Sequence, residues 1–441
     1  MRNKLLRRLS AGVLAAALLG LTACAGDTEG DGDTTPDPGA ESEIDPNAIL
    51  RFTSAGPTRN LDPVLQTSYG GWGYLVLIWD RLTTLDKNDN VQPGLATEWS
   101  FAEDGSYLEM KLRDDVSFHD GTKFNAEAVK VNIERGKTLE DSTVKNDLAD
   151  IESVEVVDEY TVRFHLVEGR GVQLPSTFAT NAGMMVSPAA IEDPSVDLAN
   201  NPGNAGSGPY IVTEYVPNER MVVERAPSYW DPEVGRLAGI ELERVPDGST
   251  RVRGVQTGAT DLTTVSSAND LLTARQMAER GEANVNEVTF RNILGVYLRA
   301  NQGDLTKPEA RQAIAHAIDP EAISALFSGS CTPYRQLHPA SDWSAIPNYQ
   351  YPYEYDVAKA KSLVESVGGA KVSVTFAAET NVEAPANVIL DALTQAGFDA
   401  ELNPVPNSEN EPRFIAGDFE LMVSASWSPK IDPADTVKTF L

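Results

Sequence analysis

The chain has 441 residues, a length that fits two or three domains better than one. Its 36 Lys and Arg against 65 Asp and Glu give a formal net charge of −29, which argues against binding to nucleic acid or to anionic lipid. Two cysteines exclude a disulfide framework, a cysteine-rich zinc site and an iron–sulfur cluster, and four histidines leave little for a histidine metal site. No metal and no other cofactor are therefore expected.

The first 23 residues have the pattern of a signal peptide. Residues 2–8 carry four basic side chains, and the apolar run at 9–23 is shorter than the roughly 20 residues that a membrane span needs. The run ends in a Leu-Thr-Ala-Cys sequence closed by Cys24, which resembles the lipobox of bacterial lipoproteins. We therefore expect Cys24 to be lipidated and to anchor the protein on the periplasmic or cell-surface side of a membrane. A signal peptide with an incidental cysteine is the alternative.

Residues 24–48 are predicted to form a disordered acidic tether. The stretch from 27 to 46 is dominated by Gly, Asp, Thr, Ser and Pro, with almost no apolar residue and no basic one. Such a composition cannot bury enough apolar surface to fold, so a solvated link between the lipid and the folded body is expected.

The body from 49 to about 290 is rich in strand patterns. Residues 107–113 and 161–166 alternate apolar and polar side chains, as half-buried strands do. One helix is expected from a cap at Asn125 to about Arg135. The alternation predicts that six side chains point into the core: Leu108, Met110, Leu112, Val162, Phe164 and Leu166.

The pattern changes after about residue 292. Apolar side chains recur at helical spacing at 308–318, after a cap at Asp356, and at 385–397. Strand patterns lie between and after these helices, at 372–376, 398–402 and 419–423. Alternating helices and strands predict a helix-covered α/β sheet. The boundary near 290 is expected to join two lobes of different character.

No catalytic motif is present in the sequence. It contains no Gly-x-Ser-x-Gly elbow, no His-Glu-x-x-His helix and no Walker loop. Gly203, Gly206 and Gly208 cluster, but Pro209 and a strand pattern follow them where a dinucleotide site needs a helix. Cys331 is interpreted as a structural free thiol rather than a nucleophile. An exported protein with sizeable cores and no such motif points to binding rather than to an enzyme.

Several stretches together resemble one known family, in their order and in their spacing. The matching stretches are Asn60-Leu61-Asp62-Pro63, residues 78–82, 91–99, 111–122, 206–210 and 224–230, and, further on, residues 309–314 and 355–361. The chain thus resembles the family 5 extracellular solute-binding proteins, the peptide/nickel class that feeds ABC importers.

The resemblance implies a two-lobed, periplasmic-binding-protein-like α/β fold with an extra domain and a ligand cleft that closes by a hinge. It implies a first lobe at 49–290, with the extra domain inserted at about 65–187, and a second lobe at 291–441. Relatives continue well past the motif that ends at Pro433. We therefore expect the C-terminal part of the second lobe to be missing, because the chain is either a fragment or a truncated gene product.

The resemblance also indicates which residues contact a ligand. It assigns one loop of the first lobe and one strand end of the second lobe to the cleft, namely Gln66, Thr67, Ser68 and Tyr69, and Trp427 and Ser428. Trp427 could instead belong to the core. Trp72 and Tyr74 are weaker candidates, since an aromatic residue on the helix after the loop is often core.

Departures from the family pattern bear on the ligand. Short-peptide binders often place an Asp after the tryptophan to take the peptide amino terminus, whereas Lys430 stands nearest that place here. They often hold the peptide carboxylate with a basic residue in the loop that here carries Glu379 and Glu383, and residues 372–412 contain no Lys or Arg. Nickel-type relatives place an Arg before the segment at 186–188, where this chain has two methionines. Clamping of a free dipeptide and capture of nickel are both disfavoured.

The leading hypothesis is a monomeric, lipid-anchored receptor that takes up peptides, or a similar small solute, and passes them to the permease subunits of an ABC importer. One alternative is a receptor for a non-peptide solute, such as a metal chelate or a sugar. The other, from a different class, is a secreted hydrolase with an unrecognised carboxylate pair. The departures predict neutral or cationic solutes, or longer peptides, in preference to free dipeptides.

Overall fold

The computed structural model describes residues 44–55, 60–66, 69–265, 267–288, 293–336, 338, 345–378 and 380–425. Within these ranges the strands are, in chain order, β1 (Ile49–Ser54), β2 (Thr83–Leu85), β3 (Val91–Pro93), β4 (Ala96–Phe101), β5 (Tyr107–Leu112), β6 (Ile151–Asp158), β7 (Thr161–Leu166), β8 (Tyr210–Val216), β9 (Arg220–Arg225), β10 (Gly239–Arg244), β11 (Leu262–Thr263), β12 (Gly295–Leu298), β13 (Lys371–Ala377), β14 (Asp399–Val405) and β15 (Leu421–Ser424). The α-helices are α1 (Tyr69–Leu75), α2 (Ala126–Thr138), α3 (Leu174–Thr177), α4 (Pro188–Glu192), α5 (Gly248–Gln256), α6 (Ala268–Glu279), α7 (Pro308–Ala317), α8 (Pro320–Ala325), α9 (Val357–Ser366), α10 (Glu383–Gln395) and α11 (Asn407–Ala416).

The first sheet has the strand order β11-β1-β10-β9-β8. β1 pairs in parallel with β10 on one side and with β11 on the other, whereas β9 runs antiparallel between β10 and β8. Its core includes Leu75, Trp79 and Met221, which have almost no exposed surface. β1 therefore has a parallel neighbour on each side.

A second sheet, β4-β5-β7-β6, is inserted in the chain between β1 and β8 and is antiparallel throughout. The six side chains of β5 and β7 that were predicted to point inward are all buried, which confirms the alternation. This sheet, α2 and the segment that joins α2 to β6, residues 96–166 of the chain, are called the inserted layer below. The predicted domain boundaries near 65, 187 and 290 stay predictions.

The helix α2 covers the inserted sheet and begins where the sequence predicts. The Asn125 side-chain oxygen accepts a hydrogen bond of 3.0 Å from the backbone N–H of Ala128, which confirms the cap. The helix continues three residues beyond the predicted end at Arg135. Gly136, in this last part of the helix, packs closely: a Cβ there would lie 2.8 Å from Cδ1 of Leu148.

The last sheet has the order β12-β15-β13-β14. β13 is parallel to both of its neighbours, and β12 is antiparallel to β15. The predicted α7 is present, and α9 is capped by Asp356 as expected. α10 begins at Glu383, two residues before the predicted start at Pro385, because proline is tolerated in a first turn that needs no N–H from it. β14 passes through Pro404, which an edge strand allows.

Candidate ligand-binding site

The first sheet changes its direction of growth at β1. The chain places β10 on one side of β1 and then, through α5, places β11 on the other side. In open α/β sheets, ligands bind outside the carboxyl ends of the parallel strands at such a switch point. Ser54, Arg244 and Thr263 are the last residues of these three strands. The edge that they form is the first candidate edge for ligand binding, called the first edge below.

Hydrogen bonds between side chains hold this first edge together. The Tyr74 hydroxyl donates to Oγ of Ser54 at 2.9 Å, and Ser54 is buried. The Tyr74 ring lies 6.2 Å from the ring of Phe52, measured between centroids. Thr263 Oγ1 donates to the carbonyl of Thr53 at 2.9 Å across the β1–β11 pair. Tyr74, a weaker candidate from the sequence, thus lies at this edge.

Arg251 on α5 ties together the chain segments that follow β10 and β11. Its side chain is buried, and Nη1 donates to the carbonyls of Val245 at 2.7 Å and Pro246 at 2.9 Å. Its Nε donates to the carbonyl of Thr264 at 3.1 Å. Sequence reasoning missed Arg251, because its partners are backbone carbonyls that any residue type supplies.

Gln66, the first predicted ligand residue, lies in the segment that joins β1 to α1. The residue is 3% exposed, and its side-chain Nε2 donates to the carbonyl of Asn60 at 3.1 Å. The side chain packs closely on Gly71, where a Cβ would come within 2.5 Å of the Gln66 amide carbon. The buried Gln66 side chain therefore stabilises this segment through its contacts with Asn60 and Gly71, and its contact with a ligand stays a prediction.

The last sheet has a switch point of its own, between β13 and β15. The chain goes from β13 through α10 to β14 on one side, and returns through α11 to β15 on the other. The two helices cover opposite faces, because Leu421 and Val423 share a core with α10 whereas the alternate residue Met422 packs with α11. The carboxyl ends of β13 and β15, at Ala377 and Ser424, form the second candidate edge.

Tyr297 of β12 adds a polar group to this second edge. Gly295 pairs with Ser424, and a Cβ at Gly295 would lie 3.3 Å from the Tyr297 hydroxyl oxygen, so the ring extends towards the carboxyl end of β15. Burial raises the pKa of the Tyr297 hydroxyl above its usual range, so the group stays protonated. Glu383, the first residue of α10, is exposed. Among the described residues, no three His, Cys, Asp or Glu side chains come together as a metal site.

Several predicted residues lie beyond the part of the chain that the structure describes. These are Cys24, Thr67, Ser68, Glu379, Trp427 and Ser428. Tyr69 is the first residue of α1, and Ala425, the last described residue, stands two positions before Trp427. The two predicted ligand segments therefore follow the ends of β1 and β15, and the assignment of their side chains stays a prediction.

The family motif at Tyr229 and Trp230 forms a partly buried polar cluster with the buried Asp80. The Tyr229 hydroxyl donates to Oδ1 of Asp80 at 2.7 Å, and Trp230 Nε1 donates to Oδ2 at 3.1 Å. The Arg113 guanidinium lies over the Trp230 ring, 4.2 Å from its centroid. Burial raises the pKa of Asp80 to about 6, although the donated hydrogen bonds oppose the rise. These side chains therefore join segments of the scaffold to one another.

No helix among the described residues has the length and apolar content needed to cross a membrane.

Residues 90–441 match the family model described as bacterial extracellular solute-binding proteins, family 5 Middle. The chain is also similar to the glutathione-binding protein GsiB of Escherichia coli O1:K1 / APEC, at 28% identity over 294 residues. That match covers 66% of this chain and 56% of GsiB, so the chain spans little more than half the length of this relative. The family comprises solute-binding proteins and not enzymes, in agreement with the prediction.

Two solved structures are similar over most of the chain. The ABC transporter-associated periplasmic binding protein DppA from Helicobacter pylori, in complex with peptide STSA, gives a TM-score of 0.74 at 22% identity, over 89% of this chain and 80% of that chain. NikA from Brucella suis, in complex with Fe(III)-EDTA, gives 0.73 at 22% identity, over 88% and 81%. These similarities confirm the predicted two-lobed, periplasmic-binding-protein-like α/β fold.

Proposed function

This chain belongs to family 5 of the bacterial extracellular solute-binding proteins, and we propose that it is the substrate-binding receptor of an ABC importer, with a peptide or a similar small solute held in a cleft between two α/β lobes. The observation that carries the proposal is the pair of switch points. One predicted ligand segment comes after β1 in the chain and the other comes after β15, and ligands of open α/β sheets bind outside the carboxyl ends of strands at such switch points. Each edge then supplies one wall of the cleft.

Binding works through closure in this proposal. A ligand shifts an open–closed equilibrium only through contacts that are better in the closed form, and the closed form then docks on the permease. The chain passes from the first sheet to the last through α6 and the segment after it. There Arg275 donates to the Glu287 carboxylate at 2.6 Å and to the Ser328 carbonyl at 3.5 Å. The contact with Glu287 lies on the connection that would act as the hinge, and the contact with Ser328 ties α6 to the segment after α8.

The ligand class that we propose is a peptide held mainly by its backbone. Glu383 follows β13 at the second edge, and residues 372–412 contain no Lys or Arg. Burying a carboxylate costs free energy of desolvation. That cost is not compensated unless the carboxylate contacts a cation or accepts several hydrogen bonds. Backbone recognition instead needs only main-chain partners and tolerant side-chain pockets. Neutral or cationic solutes and longer peptides should therefore bind in preference to free dipeptides.

The proposal includes a lipid anchor at Cys24. Two or more acyl chains hold a protein stably on a membrane, whereas a single chain binds only marginally. The acidic stretch at 24–48 would then keep the folded receptor close to its permease on the extracytoplasmic side.

Native mass spectrometry of the full-length protein tests this function, because a tight ligand co-purifies with its receptor. The expected result is a bound mass that fragments into amino-acid residues. A bound sugar or metal chelate would contradict the proposed ligand class but would agree with a receptor function. Turnover of a bound candidate into released products would overturn the receptor assignment.

A further inference from the structure

The loop at 60–66, which ends at Gln66, the first predicted ligand residue, packs against two cores at once. Leu61 belongs to the core of the first sheet, whereas Val64 belongs to the core of the inserted layer. The indole Nε1 of Trp79 donates to the carbonyl of Leu61 at 2.9 Å. The position of this loop therefore depends on the inserted layer as well as on the sheet that contains β1.

Thr143 of the inserted layer binds the last carbonyls of the loop. Its backbone N–H donates to the carbonyl of Val64 at 2.8 Å. Its Oγ1 lies 2.9 Å from the carbonyl oxygen of Gln66 and 3.2 Å from that of Val64. A hydroxyl has one proton to donate, so the shorter contact, to Gln66, is the stronger one. Thr143 thus fixes the backbone of Gln66, the first residue of the predicted ligand segment.

Arg135 of α2 binds the start of the same loop. Its Nη1 donates to Oδ1 of Asp62 at 3.0 Å, and Nη2 donates to Oδ2. The side chains of Arg135 and Asp62 are 16% and 3% exposed. If one of them is removed, little water can therefore reach the other to compensate its charge. Asp62 Oδ1 also accepts from the N–H of Val64 at 3.2 Å. The planar, two-pronged geometry suits Arg and not Lys.

We propose that Arg135 and Thr143 are positioning residues through which the inserted layer sets the ligand affinity of the first lobe. This inference rests on the proposed function, because it takes the predicted ligand segment that begins at Gln66 as one wall of the ligand cleft. A loop that is already ordered loses little freedom on binding. Release of either contact therefore weakens binding although neither side chain touches the ligand.

The test for affinity uses Thr143→Val, which keeps the shape of the side chain and removes its hydroxyl. In calorimetric titration with the tetrapeptide Ser-Thr-Ser-Ala, Kd should rise about five- to tenfold, the effect of one lost hydrogen bond. Thr143→Ser should restore wild-type Kd. The matched control is Thr138→Val: Thr138 Oγ1 donates to the Glu134 carbonyl at 2.7 Å within α2, and its loss should leave Kd unchanged.

Hydrogen exchange on the ligand-free protein separates this inference from the proposed function. Amides within 60–69 should exchange about tenfold faster in Thr143→Val and in Arg135→Lys, and at the wild-type rate in Thr138→Val. Unchanged exchange, or faster exchange with unchanged Kd, would overturn the positioning role. If the wild type does not bind the tetrapeptide, the proposed peptide function fails, while exchange still decides whether these residues hold the loop.

Discussion

The hydroxyl of Tyr229 donates a hydrogen bond of 2.7 Å to the buried carboxylate of Asp80, which stands 149 positions earlier in the chain. This contact joins the segment after α1 to the segment after β9, on either side of the whole inserted layer. Burial of the Asp80 carboxylate outweighs the donors around it and raises its pKa to about 6.

The raised pKa of Asp80 predicts a pH-dependent stability. An ordinary aspartate titrates near 3.8, so between about pH 4 and 6 the folded state binds more protons than the unfolded state, and the free energy of unfolding falls as pH rises. The loss between pH 5 and 7.5 should be about 1 kcal/mol. Chemical denaturation of the wild type and Asp80→Asn at both pH values measures it, since the variant lacks the titrating group.

The control for this experiment is Asp115→Asn. Hydrogen bonding from Arg113 lowers the pKa of the exposed Asp115 carboxyl, which therefore titrates below the pH window of the experiment. The control should keep the wild-type slope. A slope in Asp80→Asn equal to that of the wild type would contradict the assignment to Asp80.

Gly206 is predicted to be intolerant of any side chain. A Cβ at this position would lie 2.1 Å from the carbonyl oxygen of Ile78, so Gly206→Ala must displace backbone. We expect the free energy of unfolding to fall by about 3 kcal/mol. At Gly73, an exposed position in α1 with open space around it, Ala should be neutral or stabilise by up to about 1 kcal/mol. Urea denaturation of both variants measures the difference, and equal stabilities would refute the close approach.

Local elements could be predicted from the sequence because their determinants lie within a few residues. The Asn125 cap and the alternation along β5 and β7 are of this kind. The parallel pairing of β1 with β11 could not, since it brings together Thr53 and Thr263, which are 210 positions apart. The switch point of the first sheet follows from that pairing, so it became visible only in the structure.

The site was predictable to a similar degree. Family resemblance indicated the segment at 66–69, and the structure shows that β1, the strand that precedes this segment in the chain, lies at the switch point of the first sheet. The resemblance did not indicate the residues that hold it. Arg135 meets Asp62 across 73 positions, and Arg251 binds carbonyls alone, so neither contact leaves a side-chain pattern in the sequence.

The lipid anchor predicts a single attachment site. Cys24→Ser should abolish labelling of the protein by a fatty-acid analogue, because no other cysteine of the chain follows a Leu-Thr-Ala sequence. The variant should remain as an unprocessed precursor or be released from the membrane. Gel fluorescence of labelled cells measures it, with Cys331→Ser as the control that keeps its label. Continued labelling of Cys24→Ser would refute the anchor.

The assignment of Trp427 predicts a loss of affinity rather than of stability. Trp427→Ala should weaken binding of the tetrapeptide Ser-Thr-Ser-Ala by about 1–3 kcal/mol, because apolar contact and stacking are removed. Calorimetry and thermal melting of the same samples separate the two roles. A lower Tm with unchanged affinity would show instead that Trp427 belongs to the core.

The most direct test of the central claim, a peptide cleft without a carboxylate clamp, is calorimetric titration of the full-length receptor with three ligands: the tetrapeptide Ser-Thr-Ser-Ala, its C-terminally amidated form, and the free dipeptide Ser-Thr. The absence of Lys and Arg from 372–412 predicts that both tetrapeptides bind with Kd values within about threefold of each other. The dipeptide should bind more weakly, because it offers fewer backbone groups. Tightest binding of the dipeptide, with amidation abolishing tetrapeptide binding, would contradict the account.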